Sequence, residues 1–157
     1  LIRLNNDGKW DGGNLLPDEK LTLKKYFKIL EISGLVNNSN NQMFDLMYAN
    51  YDNCGFDHDK LFAFIRGQHK EFFIFVINFA SEDKYAEINI PKHAFDCLSI
   101  NDGANYKVKD LLENENVSNA FALYCDDSII NISSFEKLKL TVPAYSARVL
   151  KCIETVS

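Results

Sequence analysis

The side chains best equipped for chemistry in this sequence are acidic. Asp45, Asp57, Asp59, Asp126 and Asp127 are the carboxylates that invite a catalytic reading. All lie in turn-like segments or at strand edges, where a carboxylate is ordinarily solvated. Acid–base chemistry needs two groups held within reach of one substrate, and no spacing here supplies such a pair. His58 stands between Asp57 and Asp59, but successive residues of an extended chain point to opposite faces. A metal needs several converging ligands, so a surface turn is the expectation for this tripeptide. His69, in a proposed hairpin loop, and His93, two residues after Pro91, are expected to face solvent. The sequence has no Gly-x-Ser-x-Gly elbow and no glycine-rich phosphate loop, the motifs that would signal nucleophilic or phosphoryl chemistry. Cys54, Cys97, Cys125 and Cys152 are far apart and form no Cys-x-x-Cys pair. That spacing argues against structural zinc and against a dense disulfide scaffold, and buried free thiols are expected instead. No cofactor or metal is implied. The remaining chemistry is that of aromatic rings. Trp10, Tyr48, Tyr51, Tyr85 and Tyr106 could stack on a flat, C–H-rich ligand face, although rings in strands usually pack in the core. Trp10, in a glycine-rich loop, is the one to watch.

The elements that must position these side chains are bounded by the composition. The chain has 157 residues, enough for one compact domain with a short appendage. Hydrophobic residues make up 46% and charged residues 25%, the balance of a globular chain with a real core. A formal charge of −5 with scattered lysines lacks the concentrated basic footprint of a nucleic-acid or anionic-membrane binder, so neither partner is expected. No apolar run reaches the roughly 20 residues a membrane span needs. The opening Leu1-Ile2-Arg3-Leu4-Asn5 has no signal-peptide layout, and localisation stays open.

Along the chain, Asn5 to Asn14 reads as loop, and Pro17 opens a helix. Leu23, Tyr26, Phe27 and Leu30 fall on one face of it, with Lys24, Lys25 and Lys28 on the other. Asp18 and Glu19 suit its first turn and Gly34 is a natural stop, whereas Leu16 is a poor N-cap. The polar run Asn37-Asn38-Ser39-Asn40-Asn41-Gln42 marks the main boundary. After it come short segments of aromatic and β-branched residues: 44–48, 61–66, 72–79, 85–90, 121–124, 129–132, 138–142 and 147–153. Turn signals such as Asn101-Asp102-Gly103 punctuate them. Short strands at this spacing without alternating helices predict a mainly β fold, an antiparallel β-sandwich of Greek-key type preceded by one N-terminal α-helix. Phe72 to Ile77 is apolar on both faces and should form a buried central strand. Lys137, Lys139 and Thr141 alternate with Leu138, Leu140 and Val142, the pattern of a strand with one wet and one dry side.

Two stretches carry a family resemblance: Leu61-Phe62-Ala63-Phe64-Ile65-Arg66 with Phe73-Ile74-Phe75-Val76-Ile77-Asn78-Phe79-Ala80, and Leu140-Thr141-Val142-Pro143-Ala144-Tyr145-Ser146-Ala147-Arg148-Val149-Leu150. Together they resemble the C-terminal β-sandwich of α-amylase-superfamily glycoside hydrolases (glycoside hydrolase family 13). Asn78 and Tyr145 are the distinctive positions. Asp110-Leu111-Leu112 is similar to a strand-and-turn element of that family, with Asn114 where glycine is usual. The loop around Trp10-Asp11-Gly12-Gly13 and the helix with Tyr26 and Phe27 resemble the last loop and last helix of the catalytic barrel.

The resemblance implies that residues 1–36 are the end of a (β/α)8 barrel and that 37–157 form the accessory sandwich. The chain would then begin inside the parent's barrel, and the carboxylates of glycoside hydrolysis would lie on strands upstream. This chain would be non-catalytic, its partner would be the parent's barrel, and α-glucan is the candidate ligand. Trp10 would be the candidate sugar contact, because its loop would face the active-site side of the barrel. Two other readings stay open: a carbohydrate-binding module using stacked aromatics, and an unrelated β-sandwich interaction domain. Two coplanar exposed rings would favour the module. The helix stripe of Leu23, Tyr26, Phe27 and Leu30, parted from barrel strands, is expected to dock on the sandwich and leave a residual patch for weak homodimerisation.

Overall fold

The computed structural model describes residues 16–37, 42–112 and 128–155. The chain divides into two compact units between Leu35 and Val36. Helix α1 (Pro17–Asn37) begins in the described part of the first and ends two residues past the division. Pro17 fixes φ at the first helical position, where no intrahelical partner for an N–H is lost. Leu16 cannot cap with its own side chain, but its backbone N–H donates to Glu19 Oε2 at 2.8 Å, the reciprocal half of a capping box. The helix does not stop at Gly34 and runs three residues further. A single glycine costs about 1 kcal/mol in a helix, and the apolar pair Leu35 and Val36 follows it.

The expected apolar stripe is not the buried one. Tyr26, Phe27 and Leu30 are more than half exposed, and Leu23 is half-buried, whereas Ile32 and Val36 are buried. At 3.6 residues per turn, Ile32 and Val36 lie on the side opposite Leu23 and Leu30. This helix carries two apolar stripes, so its periodicity alone could not choose between them.

The second unit is mainly β. Its elements in order are β1 (Met43–Asp45), α2 (Met47–Asn50), β2 (Leu61–Gln68), β3 (Glu71–Asn78), β4 (Lys84–Ile88), α3 (Lys92–Leu98), β5 (Ala104–Asp110), β6 (Ser128–Ile132), β7 (Leu138–Val142) and β8 (Ala147–Glu154). Among the described residues one sheet has the order β1-β2-β3-β8-β5-β6 and the other pairs β4 with β7, with all neighbouring strands antiparallel. The last strand inserts between β3 and β5, so the connection is non-local, as Greek-key sandwiches require.

Alternation places each side chain. On β2, Leu61, Ala63 and Ile65 point inward opposite Asn78, Val76 and Ile74 of β3. Leu150 and Cys152 of β8 continue that face beside Ile74 and Phe72, and Val108 of β5 lies across from Cys152. Ala86 and Ile88 of β4 and Leu138, Leu140 and Val142 of β7 meet them in one hydrophobic cluster, closed by Phe95 and Leu98 of α3. Lys139 faces water and Leu140 the core, as the alternation predicts. Segment 72–79 is the central strand expected, between β2 and β8, although Phe79 lies past its end and is exposed.

Three local readings need correction. The strand expected at 44–48 ends at Asp45, and Met47 and Tyr48 begin the helical turn α2 instead, because Asp45 Oδ1 accepts the Met47 N–H at 2.8 Å and turns the chain. Helix α3 was not expected, and of strand β5 only the end at Asp110 was, through the family resemblance. Ser99 closes α3 in the left-handed region at φ 53°. The expected strand at 121–124 lies outside the described residues. The β2–β3 hairpin turns at His69-Lys70, and its glycine sits two residues earlier. Gly67 holds φ 114°, and a Cβ there would meet Phe72 Cα at 2.7 Å, so only glycine fits that close approach.

Candidate functional site

The acidic candidates within the described residues are each engaged in structure. Asp45 caps α2. Asp57 accepts from Lys84 Nζ at 3.1 Å, while Lys84 also pairs with Glu82 at 2.7 Å. The hydrogen bond from Lys84 holds the Asp57 carboxyl below its usual range. Asp59 lies 3.4 Å from His58 Nε2, and His58 itself stacks against Tyr51 with ring centroids 4.5 Å apart. Asp126, Asp127, Cys125 and Trp10 lie outside the described residues. Among the described residues no group of three His, Cys, Asp or Glu side chains is placed to hold a metal ion.

The most deeply placed acid was not among the candidates. Asp110 faces inward on β5 and pairs with Arg148 Nη1 at 2.7 Å, both side chains being largely buried. Arg148 Nε also donates to the Thr141 carbonyl at 3.1 Å, so the pair ties β5 and β8 of one sheet to β7 of the other. Asp110 Oδ1 accepts the N–H groups of Leu112 and Val149 as well, which satisfies the buried charge. This is a fastening, and its polarity on an inward position hid β5 from pattern reading.

The thiols divide. Cys152 is fully buried, and burial pushes its thiol well above the ordinary range. Cys54 and Cys97 are exposed, contrary to the expectation for them. Cys54 lies in the turn after α2, and Cys97 is on the exposed side of helix α3.

The tyrosines divide too. Tyr106 is a core residue: it packs edge-on against Phe72 at 5.1 Å and donates to the Asn101 carbonyl at 2.8 Å. Burial raises its phenol to about 12, with the nearby Glu154 adding to the rise. It cannot serve in a platform. Tyr48, Tyr51 and Tyr85 are exposed. Tyr48 and Tyr51 each lie tilted against a histidine, His93 and His58 respectively. Tyr48 is braced edge-on by Phe44 at 6.2 Å, and its hydroxyl contacts His93 Nε2. Burial raises the Tyr48 phenol, and Cys97 and Asp45 nearby add to it.

The outer face of the six-stranded sheet is apolar along β2 and β3. By register, Phe62, Phe64, Phe73, Phe75, Ile77 and Val149 all point away from the core. Phe64 and Phe75 stack with centroids 4.5 Å apart and planes 4° from parallel, and Lys151 lies over Phe73 at 5.9 Å. Phe73 and Val149 are buried, and Phe62, Phe64, Phe75 and Ile77 are half-buried. At the sheet rim Phe79 is 63% and Tyr145 75% exposed. Their backbones are set by hydrogen bonds from Phe79 N–H to the Lys60 carbonyl and from Tyr145 N–H to the Ala80 carbonyl. Tyr145 adopts φ 47°, a left-handed conformation that costs a non-glycine residue free energy.

Residues 51–153 match the family model of the α-amylase C-terminal all-β domain. No curated protein sequence matches the chain. Among solved structures it is similar to an α-amylase from Geobacillus thermoleovorans complexed with acarbose, at 14% identity and TM-score 0.43 over 74% of this chain. It is also similar to a Bacillus halodurans C-125 protein described as an α-N-acetylgalactosaminidase, at 10% identity and TM-score 0.42 over 65% of this chain. The chain spans 19% of the length of each of these two structures.

Proposed function

Because the chain belongs to the family of α-amylase C-terminal all-β domains, we propose that its task is to pack against a catalytic barrel and stabilise it. The parent is then a glycoside hydrolase acting on α-glucans, and this chain supplies no catalytic carboxylate. Residues 1–36 are read, by their resemblance, as the end of that barrel, with Trp10 on its active-site side as a sugar contact. Residues 37–157 are the accessory sandwich.

The observation that carries the packing role is the phenylalanine-rich outer sheet face, with the Phe64–Phe75 stack at its middle. An antiparallel sheet can leave one face wet, and that face is then ordinarily polar. Here it is aromatic across two neighbouring strands. Covering its half-buried part, Phe62, Phe64, Phe75 and Ile77, with another domain would be favourable at about 25 cal/mol per Å² of apolar surface.

The test is a chain extended upstream through the barrel, compared with its Phe75→Lys variant. We expect reducing-sugar release from starch by the extended chain and none from the 157-residue chain. Phe75→Lys should lower the melting temperature of the barrel by several degrees more than it lowers that of the 157-residue chain, which loses the Phe64 stack alone. An unchanged barrel would remove the packing role, and sugar release by the short chain would overturn the non-catalytic reading.

A further inference from the structure

Helix α2 and the turn after it border a shallow hollow of about 330 Å³ whose lining includes Tyr48, Asp52, Asn53, Asn89 and Lys137. Its floor is fixed by a buried amide network. Asn50, fully buried, donates to the carbonyls of Leu46 at 2.9 Å and Asn89 at 3.0 Å and accepts the Asn89 N–H at 2.8 Å. Asn53 Nδ2 donates to Asn50 Oδ1 and to the Glu87 carbonyl, and its Oδ1 accepts from Gly55 N–H and Lys137 Nζ. The Tyr48 ring is held from two sides by Phe44 and His93 and is 54% exposed. Ring and amides are thus positioned before any ligand arrives, which lowers the entropic cost of binding.

The chemistry of this lining is selective. One fixed aromatic ring stands beside a carboxylate, an amide and an ammonium, so a ligand needs an apolar flat face together with groups that both donate and accept. An anion is disfavoured, because the single cation, Lys137, is shared with Asn53 and Glu87 and stands with Asp52 in the same lining. The Asn53 amide and Lys137 are already paired within the chain, and a purely apolar ligand would desolvate the Asp52 carboxylate beside them without pairing it. A pyranose meets both demands, with C–H groups for the ring and hydroxyls for the rim. The volume is at the lower end of the range for small-molecule sites.

We propose that this hollow is a saccharide subsite taking one or two pyranose rings of a neutral oligosaccharide. Only the choice of an α-glucan as probe rests on the proposed parent activity, and the subsite is independent of the packing role of the sheet face. The experiment is a ¹H–¹⁵N NMR titration of the 157-residue chain with maltotriose, with cellotriose and inorganic phosphate as parallel arms. Maltotriose should shift the amides of residues 48–54 and 89, and Tyr48→Ala should weaken binding at least tenfold with an unchanged melting temperature. Tyr145→Ala, which does not line the hollow, should bind as the parent does. If Tyr48→Ala lowers the melting temperature, Asp52→Ala takes its place and should weaken binding at least threefold. Binding of cellotriose instead would keep the subsite and overturn the α-glucan. Absence of shifts with both sugars, shifts centred on other residues, phosphate moving these amides when sugars do not, or undiminished binding by the variants would each overturn the subsite itself.

Discussion

Asn78 is 1% exposed, and its Nδ2 faces the carbonyls of Glu82, Val142 and Pro143 while its Oδ1 accepts the Ala80 N–H at 2.8 Å. One side chain thus joins the end of β3 to the loop after it and to the end of β7. Asn78→Ala would leave several buried backbone groups unpaired at about 1–3 kcal/mol each. We expect a loss of about 3 kcal/mol or more in urea unfolding, and a loss under 1 kcal/mol would show that water replaces the amide. Its distinctiveness was legible in the sequence, but its partners lie up to 65 positions away and were not. Tyr106 makes a second residue-scale prediction. Its phenol is raised to about 12 in the folded chain, against about 10 when unfolded. The folded state therefore binds more protons between those values, and stability is full below pH 10 and falls as pH rises toward 12. Tyr106→Phe should flatten that fall by up to about 2 kcal/mol. Equal slopes for variant and parent between pH 9.5 and 11.5 would contradict it.

At the scale of elements, legibility followed the strength of the pattern. Strands β2, β3, β7 and β8 read directly, because inward apolar residues alternate with others or, in β3, fill both faces. Strand β5 alternates equally well, with Tyr106 and Val108 inward and Lys107 and Lys109 outward. Its last inward residue is Asp110, whose partner Arg148 is 38 positions away, so the pattern looked broken. Helix α3 is only seven residues long, too short for a helical period to stand out from a turn. On the candidate site, the exposed tyrosines were named but the amide network beneath Tyr48 was not, since nothing marks out Asn50 and Asn53 until Asn89 is placed beside them. The central place of β3 gives a sharp test. Val76 is fully buried between β2 and β8, and Val76→Asp would place a charge there at a cost of several kcal/mol. With total stabilities of about 5–15 kcal/mol, the variant should fail to fold or melt far lower by circular dichroism. A melting temperature within a few degrees of the parent would mean that β3 is not the centre of this core.

For the whole molecule, the open question is what the apolar surface does when the 157-residue chain is alone. Helix α1 exposes Tyr26, Phe27 and Leu30 by more than half each, and an isolated helix of this length is marginal in water. In the parent, if α1 closes the barrel, strands would cover this stripe. In the short chain a second copy is the available cover, and a net charge of only −5 offers little repulsion to prevent it. We therefore expect weak self-association, visible in sedimentation velocity as a rise in apparent mass from micromolar to millimolar concentration. Added salt should leave the association intact, because burial of apolar surface drives it. Phe27→Lys places a charge in the middle of the stripe, and it should return the chain to monomer without lowering the melting temperature of the sandwich, whose core cluster does not include Phe27. Phe64→Lys separates the two apolar surfaces: if it abolishes association while Phe27→Lys does not, the sheet face is the interface and the helix stripe is idle. A chain that stays monomeric throughout, with Phe27→Lys indistinguishable from the parent, would show that the stripe has no partner of its own kind.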